Sequence, residues 1–190
     1  MTSKTDIANL ALSILGDDII SDIEEDTRGA RLANRHYDPV LREVLREHQW
    51  NCATKRETLA ASTTAPDFEY SYAFPLPSDF LRLVRVNEGT YDEDHRVENH
   101  GGVLALLTDE ATVKIEYVAL IEPNEMDALF LGAFTQRLAA EMAWPLTKNA
   151  TLSEQAWNLY SQKIRTARTI DSMEGKPRGI DSNTWLDARL

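Results

Sequence analysis

The residues of this sequence that could do chemistry include its histidines and the carboxylates near them. His95 and His100 flank a glycine pair, and with Asp94 or Glu98 they offer the ligand types that a zinc-like metal prefers. No HExxH spacing and no cysteine partner set accompanies them. The pattern therefore favours solvent-exposed loop residues over a metal site.

Nucleophiles and acid–base pairs are equally weak signals here. Cys52 is the single cysteine, so no intrachain disulfide can form, and its position predicts a buried packing thiol. Asp92, Glu93 and Asp94 are adjacent in sequence and predict a solvated acidic hairpin. No phosphate-binding glycine loop or GxSxG motif occurs. The sequence predicts no catalytic residues, no cofactor and no metal.

Charge recognition is the chemistry that the sequence does indicate. Five arginines of one predicted helix are spaced three, four, seven and four residues apart, namely Arg28, Arg31, Arg35, Arg42 and Arg46. This spacing places them along one helix face. Like charges in a row repel unless carboxylates from elsewhere meet them, so the face predicts a contact between subunits. The alternative is a solvated basic face, partly matched by Asp38, Glu43 and Glu47.

The remaining charge is strongly negative and unevenly distributed. The 190 residues carry a net charge of −11, and the segment from Asn87 to Asp127 has eleven acidic side chains against two basic ones. This balance argues against general nucleic-acid binding, and it would repel DNA that has to slide past. The lone cysteine fits a reducing cytoplasm, and the polar start predicts no secretory leader. The apolar runs fall short of the ~20 residues that span a membrane.

The elements that must position these residues are helices at both ends and strands between them. Apolar residues recur at helical spacing over residues 4–58 and 124–172, and Pro39 predicts a kink or a short break in the second helix. Residues 68–118 read as strands. The alternation from Phe68 to Phe74 is the clearest strand signal, and Gly101-Gly102 predicts a hairpin turn.

Together these patterns predict an α+β fold. Helix pairs from residues 1–60 and 123–174 form a four-helix core, and residues 61–122 form a small inserted antiparallel β-domain. Residues 175–190 are predicted to be an extended C-terminal tail, because they are rich in Gly, Pro, Asp, Ser and Asn. This tail ends in Trp185, Leu186 and Arg189, and Trp and Arg are residue types enriched at interface hot spots.

The chain resembles a known family at scattered positions over most of its length. The N-terminal part of the resemblance is carried by Leu15-Gly16, Ile20, Ser21, Glu24, Thr27, Ala30, Tyr37, Leu45, Trp50 and Ala53. The middle and the end of the chain contribute YAFPLPSDFLRLVRV and DSNTWLDAR. On these residues the sequence is similar to the head-to-tail adaptor proteins of short-tailed bacteriophages, also called tail tubular protein A or gatekeeper-type adaptors.

The resemblance implies a structural protein of the virion and not an enzyme. Such adaptors form rings of identical subunits, commonly twelve, at the head–tail junction after assembly in the host cytoplasm. They sit between the portal protein and the next tail (nozzle) protein, and DNA passes through without specific binding. It also implies that the C-terminal tail with Trp185 docks on the portal. The acidic triplet at residues 92–94 is then expected to face the channel or the next tail protein.

Two other functions are compatible with the residues. An acidic protein-interaction module that blocks a basic partner would share the charge and the lack of a catalytic set. A metal-dependent hydrolase would need His95, His100 and nearby carboxylates to converge in the folded chain.

Overall fold

The computed structural model describes residues 2–87 and 94–174, which form an α+β fold with four helices and two small antiparallel sheets. The helices are α1 (Lys4–Leu15), α2 (Arg28–Glu47), α3 (Ala128–Thr147) and α4 (Ala150–Met173). The strands are β1 (Thr54–Leu59), β2 (Tyr72–Pro75), β3 (Phe80–Val86), β4 (His95–His100), β5 (Val103–Thr108) and β6 (Val113–Ala119). Short 3₁₀ helices span Asn51–Ala53 and Pro123–Glu125. The prediction of the α+β class is confirmed.

Local sequence explains where the first helix begins and ends. The Ser3 hydroxyl accepts a hydrogen bond from the Asp6 amide, and the Asp6 carboxylate accepts one from the Ser3 amide. This capping box satisfies two amides that the first turn leaves without helical partners. Gly16 closes α1 in the left-handed conformation with a φ of 72°. That conformation suits glycine because it has no Cβ.

The helices α2 and α3 differ in how their sequences are buried. In α2 the apolar residues lie on one side, and the other side is charged. In α3 the buried positions go round the whole helix, including Phe130, Phe134 and Leu138. Burial on all sides is the mark of a central helix. Accordingly α3 contacts α1, α2 and α4.

The strands form two three-stranded sheets. The first sheet has the order β1-β6-β3 and the second has the order β2-β5-β4, with every neighbouring pair antiparallel. Gly101 and Gly102, with φ values of 60° and 87°, form the turn between β4 and β5. This confirms the hairpin that the glycine pair predicts.

The apolar clusters arrange these elements in layers. One cluster joins residues of all four helices to Leu81 and Val118 of the first sheet. A second cluster includes Ile115 and Tyr117 from the first sheet with Phe74 and Leu106 from the second. The strand β6 therefore contributes buried side chains to both clusters, and the first sheet lies between the helices and the second sheet.

The prediction of helix up to residue 58 is wrong, because Thr54–Leu59 forms β1. Only Leu59 of this strand is buried, so its side chains show no alternation that would indicate a strand. The extended conformation comes from backbone pairing with β6, which runs from Thr54 opposite Val118 to Leu59 opposite Val113. Pairing with a partner strand about sixty residues away overrides the local pattern.

The aromatic alternation from Phe68 to Phe74 predicts a longer strand than the structure contains. The strand β2 begins only at Tyr72, and the Phe68 side chain is 76% exposed. Glu69 has a φ of 67°, in the left-handed region that interrupts an extended chain. The first half of that predicted strand is therefore wrong.

The helices also differ from the prediction at two places. The helix α2 runs unbroken through Pro39, so no short break occurs there. Pro39 is exposed on α2, and its missing N–H removes the helical hydrogen bond to the Arg35 carbonyl. The C-terminal helices begin at Ala128 rather than at residue 124, after the Asp127 cap. Among the described residues no helix is long and apolar enough to cross a membrane.

Candidate interaction surface

The outward side of α2 carries the five arginines that the sequence singles out. The helix starts where the Thr27 hydroxyl accepts a hydrogen bond from the Ala30 amide. At ~100° per residue the five arginines fall within an arc of about 60°, and at ~1.5 Å per residue they extend over roughly 27 Å. All five are exposed. We call Arg28, Arg31, Arg35, Arg42 and Arg46 the arginine face.

The first two arginines of this face are held within the subunit. The Arg28 guanidinium donates to the backbone carbonyl of Pro145, near the end of α3. The Arg31 guanidinium forms an ion pair with Asp26, just before the start of α2. These two side chains therefore already have partners, although only Arg31 has its charge matched.

The other three arginines have no carboxylate partner. The Arg46 guanidinium donates to the backbone carbonyl of Leu81 on β3, which leaves its charge unmatched. Arg35 and Arg42 make no hydrogen bond and no ion pair with any residue in the described part of the chain. The middle of the arginine face is thus an uncompensated positive surface on an acidic protein.

The carboxylates of α2 are used elsewhere. Glu43 and Glu47 lie on the side of α2 that meets the other helices, where Arg137 of α3 approaches them at 2.9 and 3.9 Å. Arg137 also pairs with Glu141 at 2.8 Å, and Arg168 of α4 pairs with Glu47. The α2 glutamates therefore stabilise the contact between helices and do not neutralise the arginine face.

A further arginine extends the positive surface onto the first sheet. The register of β3 against β6 shifts twice, between Phe80 and Arg82 and between Leu83 and Arg85. Each bulge adds one residue to β3, so three residues of β3 lie opposite two residues of β6. The apolar and arginine positions of β3 therefore recur every three residues instead of every two. Arg82 follows the residue that Arg46 contacts, and its buried Nε has no hydrogen-bond partner among the described residues.

By contrast, the neighbouring arginines of the first sheet are paired. Glu116 on β6 is only 4% exposed, and it pairs with Arg85 at 3.0 Å and with Arg56 at 3.5 Å. Gln49 donates a longer hydrogen bond of 3.3 Å to the same carboxylate. A buried carboxylate requires such partners, so this cluster is explained by the fold alone.

The acidic counterpart within the described residues is the loop between α1 and α2. Residues 17–26 contain six acidic side chains, and Ile19 among them is 76% exposed. A pocket of about 230 Å³ opens between this loop, the first turn of α2 and the end of α3. Its lining includes Asp17, Asp18 and Leu146.

The predicted acidic triplet and the tail fall largely outside the described residues. Asp92 and Glu93 are not described, whereas Asp94 is exposed and accepts hydrogen bonds from the Tyr70 hydroxyl at 3.2 Å and from the Thr108 hydroxyl at 3.0 Å. Trp185, Leu186 and Arg189 also lie outside the described residues.

The two histidines of the hydrolase alternative do not converge. His95 and His100 are five positions apart on β4, so they lie on opposite faces of the strand. Within residues 2–87 and 94–174 no group of three or more His, Cys, Asp and Glu side chains could hold a metal ion. Burial raises the pKa of the Cys52 thiol, whereas a nucleophilic cysteine needs a lowered pKa.

Comparison with known proteins adds no family assignment. No family model matches the chain, and no curated protein matches it by sequence. The candidate surface therefore rests on its own geometry. Sequence reasoning finds the arginine face from its periodicity and misses Arg82, although the triplet spacing of Arg82 and Arg85 in FLRLVRV is a visible signal.

Proposed function

We propose that this chain is a structural head-to-tail connector of a tailed phage. Identical copies form a ring, commonly of twelve, between the portal and the next tail protein, and the ring extends the DNA channel. The α+β class and the uncompensated arginine face support this proposal, together with the scattered sequence resemblance to such adaptors.

The observation that carries the proposal is that Arg35 and Arg42 are unmatched in the middle of a helix face that holds five arginines. The chain has a net charge of −11, so carboxylates are plentiful, yet none in the described part lies within ion-pair distance of these two arginines. Charges repeated at each contact of a ring act together, whereas one exposed pair contributes only ~0–1 kcal/mol. A ring of copies supplies the missing carboxylates.

Within this proposal the N- and C-terminal helix pairs are the core of each ring subunit, and the β-domain is an insert that projects from it. The tail at residues 175–190 reaches the portal through Trp185, Leu186 and Arg189. The acidic triplet at residues 92–94 faces the channel or the next tail protein, where its charge repels DNA phosphates.

The proposal is tested by assembly on a portal. The purified chain, mixed with portal rings encoded in the same genome, is expected to add a second ring visible by electron microscopy. Arg35→Glu combined with Arg42→Glu should reduce ring formation by at least about tenfold, because like charges then face each other at every contact. Mass photometry measures the ring fraction, and circular dichroism checks the fold.

Arg165→Glu is the matched control. Arg165 on α4 is also an exposed arginine without a hydrogen bond or ion pair from its side chain in the described residues, so its reversal tests general charge effects. It should leave ring formation unchanged. Normal ring formation by the Arg35 and Arg42 double variant would mean that the arginine face is a solvated surface with no role in assembly. A wild-type chain that stays monomeric beside portal would favour an acidic interaction module instead.

A further inference from the structure

The pocket beside the α1–α2 loop combines acidic and aliphatic walls. Its rim carries the exposed carboxylates Asp17 and Asp18, and its apolar lining includes Ile19, Ile20 and Leu146. The side chains of Asp17 and Asp18 make no hydrogen bond with any described residue. Both carboxylates are therefore available to a ligand. We call this pocket the acidic socket.

The chemistry of the acidic socket suits an arginine side chain. An arginine has an aliphatic stem that packs on apolar walls and a planar guanidinium that binds carboxylates through several donors. The pocket volume of about 230 Å³ leaves room for one long side chain. Ile19, at 76% exposure, is an aliphatic side chain that the fold leaves in water and that such a stem would cover.

The arginines of the same subunit do not fill the socket, since none forms an ion pair with Asp17 or Asp18 in the described part of the chain. Arg28 lines it but already donates to the Pro145 carbonyl. Arg42 lies fourteen residues further along α2, which at ~1.5 Å per residue places its Cα roughly 21 Å away along the helix axis. Each subunit thus has an acidic socket beside the start of α2 and unmatched arginines in the middle of the same helix. The acidic socket and the arginines are therefore complementary between neighbouring copies and not within one subunit.

We infer that the acidic socket of one copy receives the Arg35–Arg42 part of the arginine face of the next copy. The contact joins two different surfaces, so it is heterologous and repeats from copy to copy until a ring closes. This inference rests on the proposed ring and specifies which surfaces meet in it. On the copy that supplies the arginines, Arg46 and Arg82 continue the positive surface from Arg42 toward the first sheet.

A mixing experiment tests the contact directly. One variant, Asp17→Lys with Asp18→Lys, has a reversed socket. The other, Arg35→Glu with Arg42→Glu, has a reversed face. Each alone should lose at least about tenfold in ring formation, because like charges then meet at every contact. Mixed in equal amounts, the two should form rings of alternating copies, since each contact regains opposite charges.

The outcomes separate this inference from the proposed function. Ring formation by the socket variant alone, or no recovery of rings on mixing, would overturn the inference. If the wild-type protein still forms rings on portal, the connector proposal would stand in either case. Rings of the socket variant that no longer dock on portal would assign the socket to portal and also overturn it. Wild-type protein that forms no ring with portal would remove the connector proposal itself. Unchanged thermal midpoints establish that both variants fold, and Arg165→Glu serves again as the charge control.

Discussion

The two flanks of α2 use charge in opposite ways. On the inner flank Glu43 and Glu47 meet Arg137, whose side chain is only 13% exposed and whose guanidinium also lies 4.7 Å from the ring centre of Trp157. On the outer flank Arg35 and Arg42 are exposed and unpaired within the described chain.

This difference shows how one helix separates folding from assembly. The inner charges are partly removed from water, so losing one partner leaves a desolvation cost without compensation. The outer arginines keep their hydration, so they contribute little to the isolated subunit and remain available to a partner. The comparison predicts that mutations on the two flanks affect different measurements.

Arg137→Ala should have the largest effect on stability. Its removal leaves Glu43, Glu47 and Glu141 close together without their shared cation, and it removes the aromatic packing under the guanidinium. We expect the free energy of unfolding to fall by about 2–3 kcal/mol, less than for a fully buried pair because the glutamates are partly exposed. Urea denaturation followed by circular dichroism measures this loss.

Arg35→Ala is the matched variant on the outer flank. It should change the free energy of unfolding by no more than about 0.5 kcal/mol, as for other exposed sites without partners. Equal losses for the two variants would contradict the division of α2 into a folding flank and an assembly flank.

Pro39→Ala should have a smaller effect of the opposite sign. Pro39 lies in the interior of α2 on the exposed side, about 20° beyond the edge of the arginine face. An interior proline costs up to ~3 kcal/mol relative to alanine, although it also restricts the unfolded chain, so we expect a gain of about 1–2 kcal/mol. Thermal and urea unfolding measure the gain. A loss of stability would mean that Pro39 makes packing contacts which alanine cannot replace.

How much of this fold the sequence predicts depends on whether the signal is local. Apolar residues at helical spacing locate α1 and α2, and the glycine pair locates the β4–β5 turn. The strand β1 has no such pattern, because an edge strand with exposed side chains is defined by its partner. The aromatic alternation at Phe68 misleads, because one left-handed residue, Glu69, breaks the extended chain.

The same distinction applies to the interaction surface. The arginine face is a periodic feature of one helix, so its residues are readable from spacing. The sequence does not predict that Glu43 and Glu47 form ion pairs with Arg137, because these pairs join residues about ninety positions apart. The acidic socket likewise requires Leu146 of α3 to meet the α1–α2 loop, which only the folded chain brings together.

The smallest expected effect concerns pH and again separates the two flanks. Tyr160 of α4 belongs to the inner flank, where its hydroxyl donates to Glu47 at 3.4 Å. Burial raises the pKa of Tyr160, and the Glu47 carboxylate raises it further. The neutral phenol is therefore favoured in the folded state. Its stabilisation is complete below the unfolded pKa of ~10 and is lost as the pH rises through the folded pKa.

We therefore expect the free energy of unfolding to fall as the pH rises above ~10, and to fall less steeply in Tyr160→Phe. The variant isolates this group, because burial also raises the pKa of Tyr37 and Tyr117 and both remain in it. Arg35→Ala should retain the wild-type slope, since Arg35 makes no hydrogen bond or ion pair with Tyr160 or Glu47. Urea titrations at several alkaline pH values measure the slopes. Identical slopes for wild type and Tyr160→Phe would mean that the inner flank does not hold Tyr160 in its neutral form, and the contrast between the flanks would then rest on Arg137 alone.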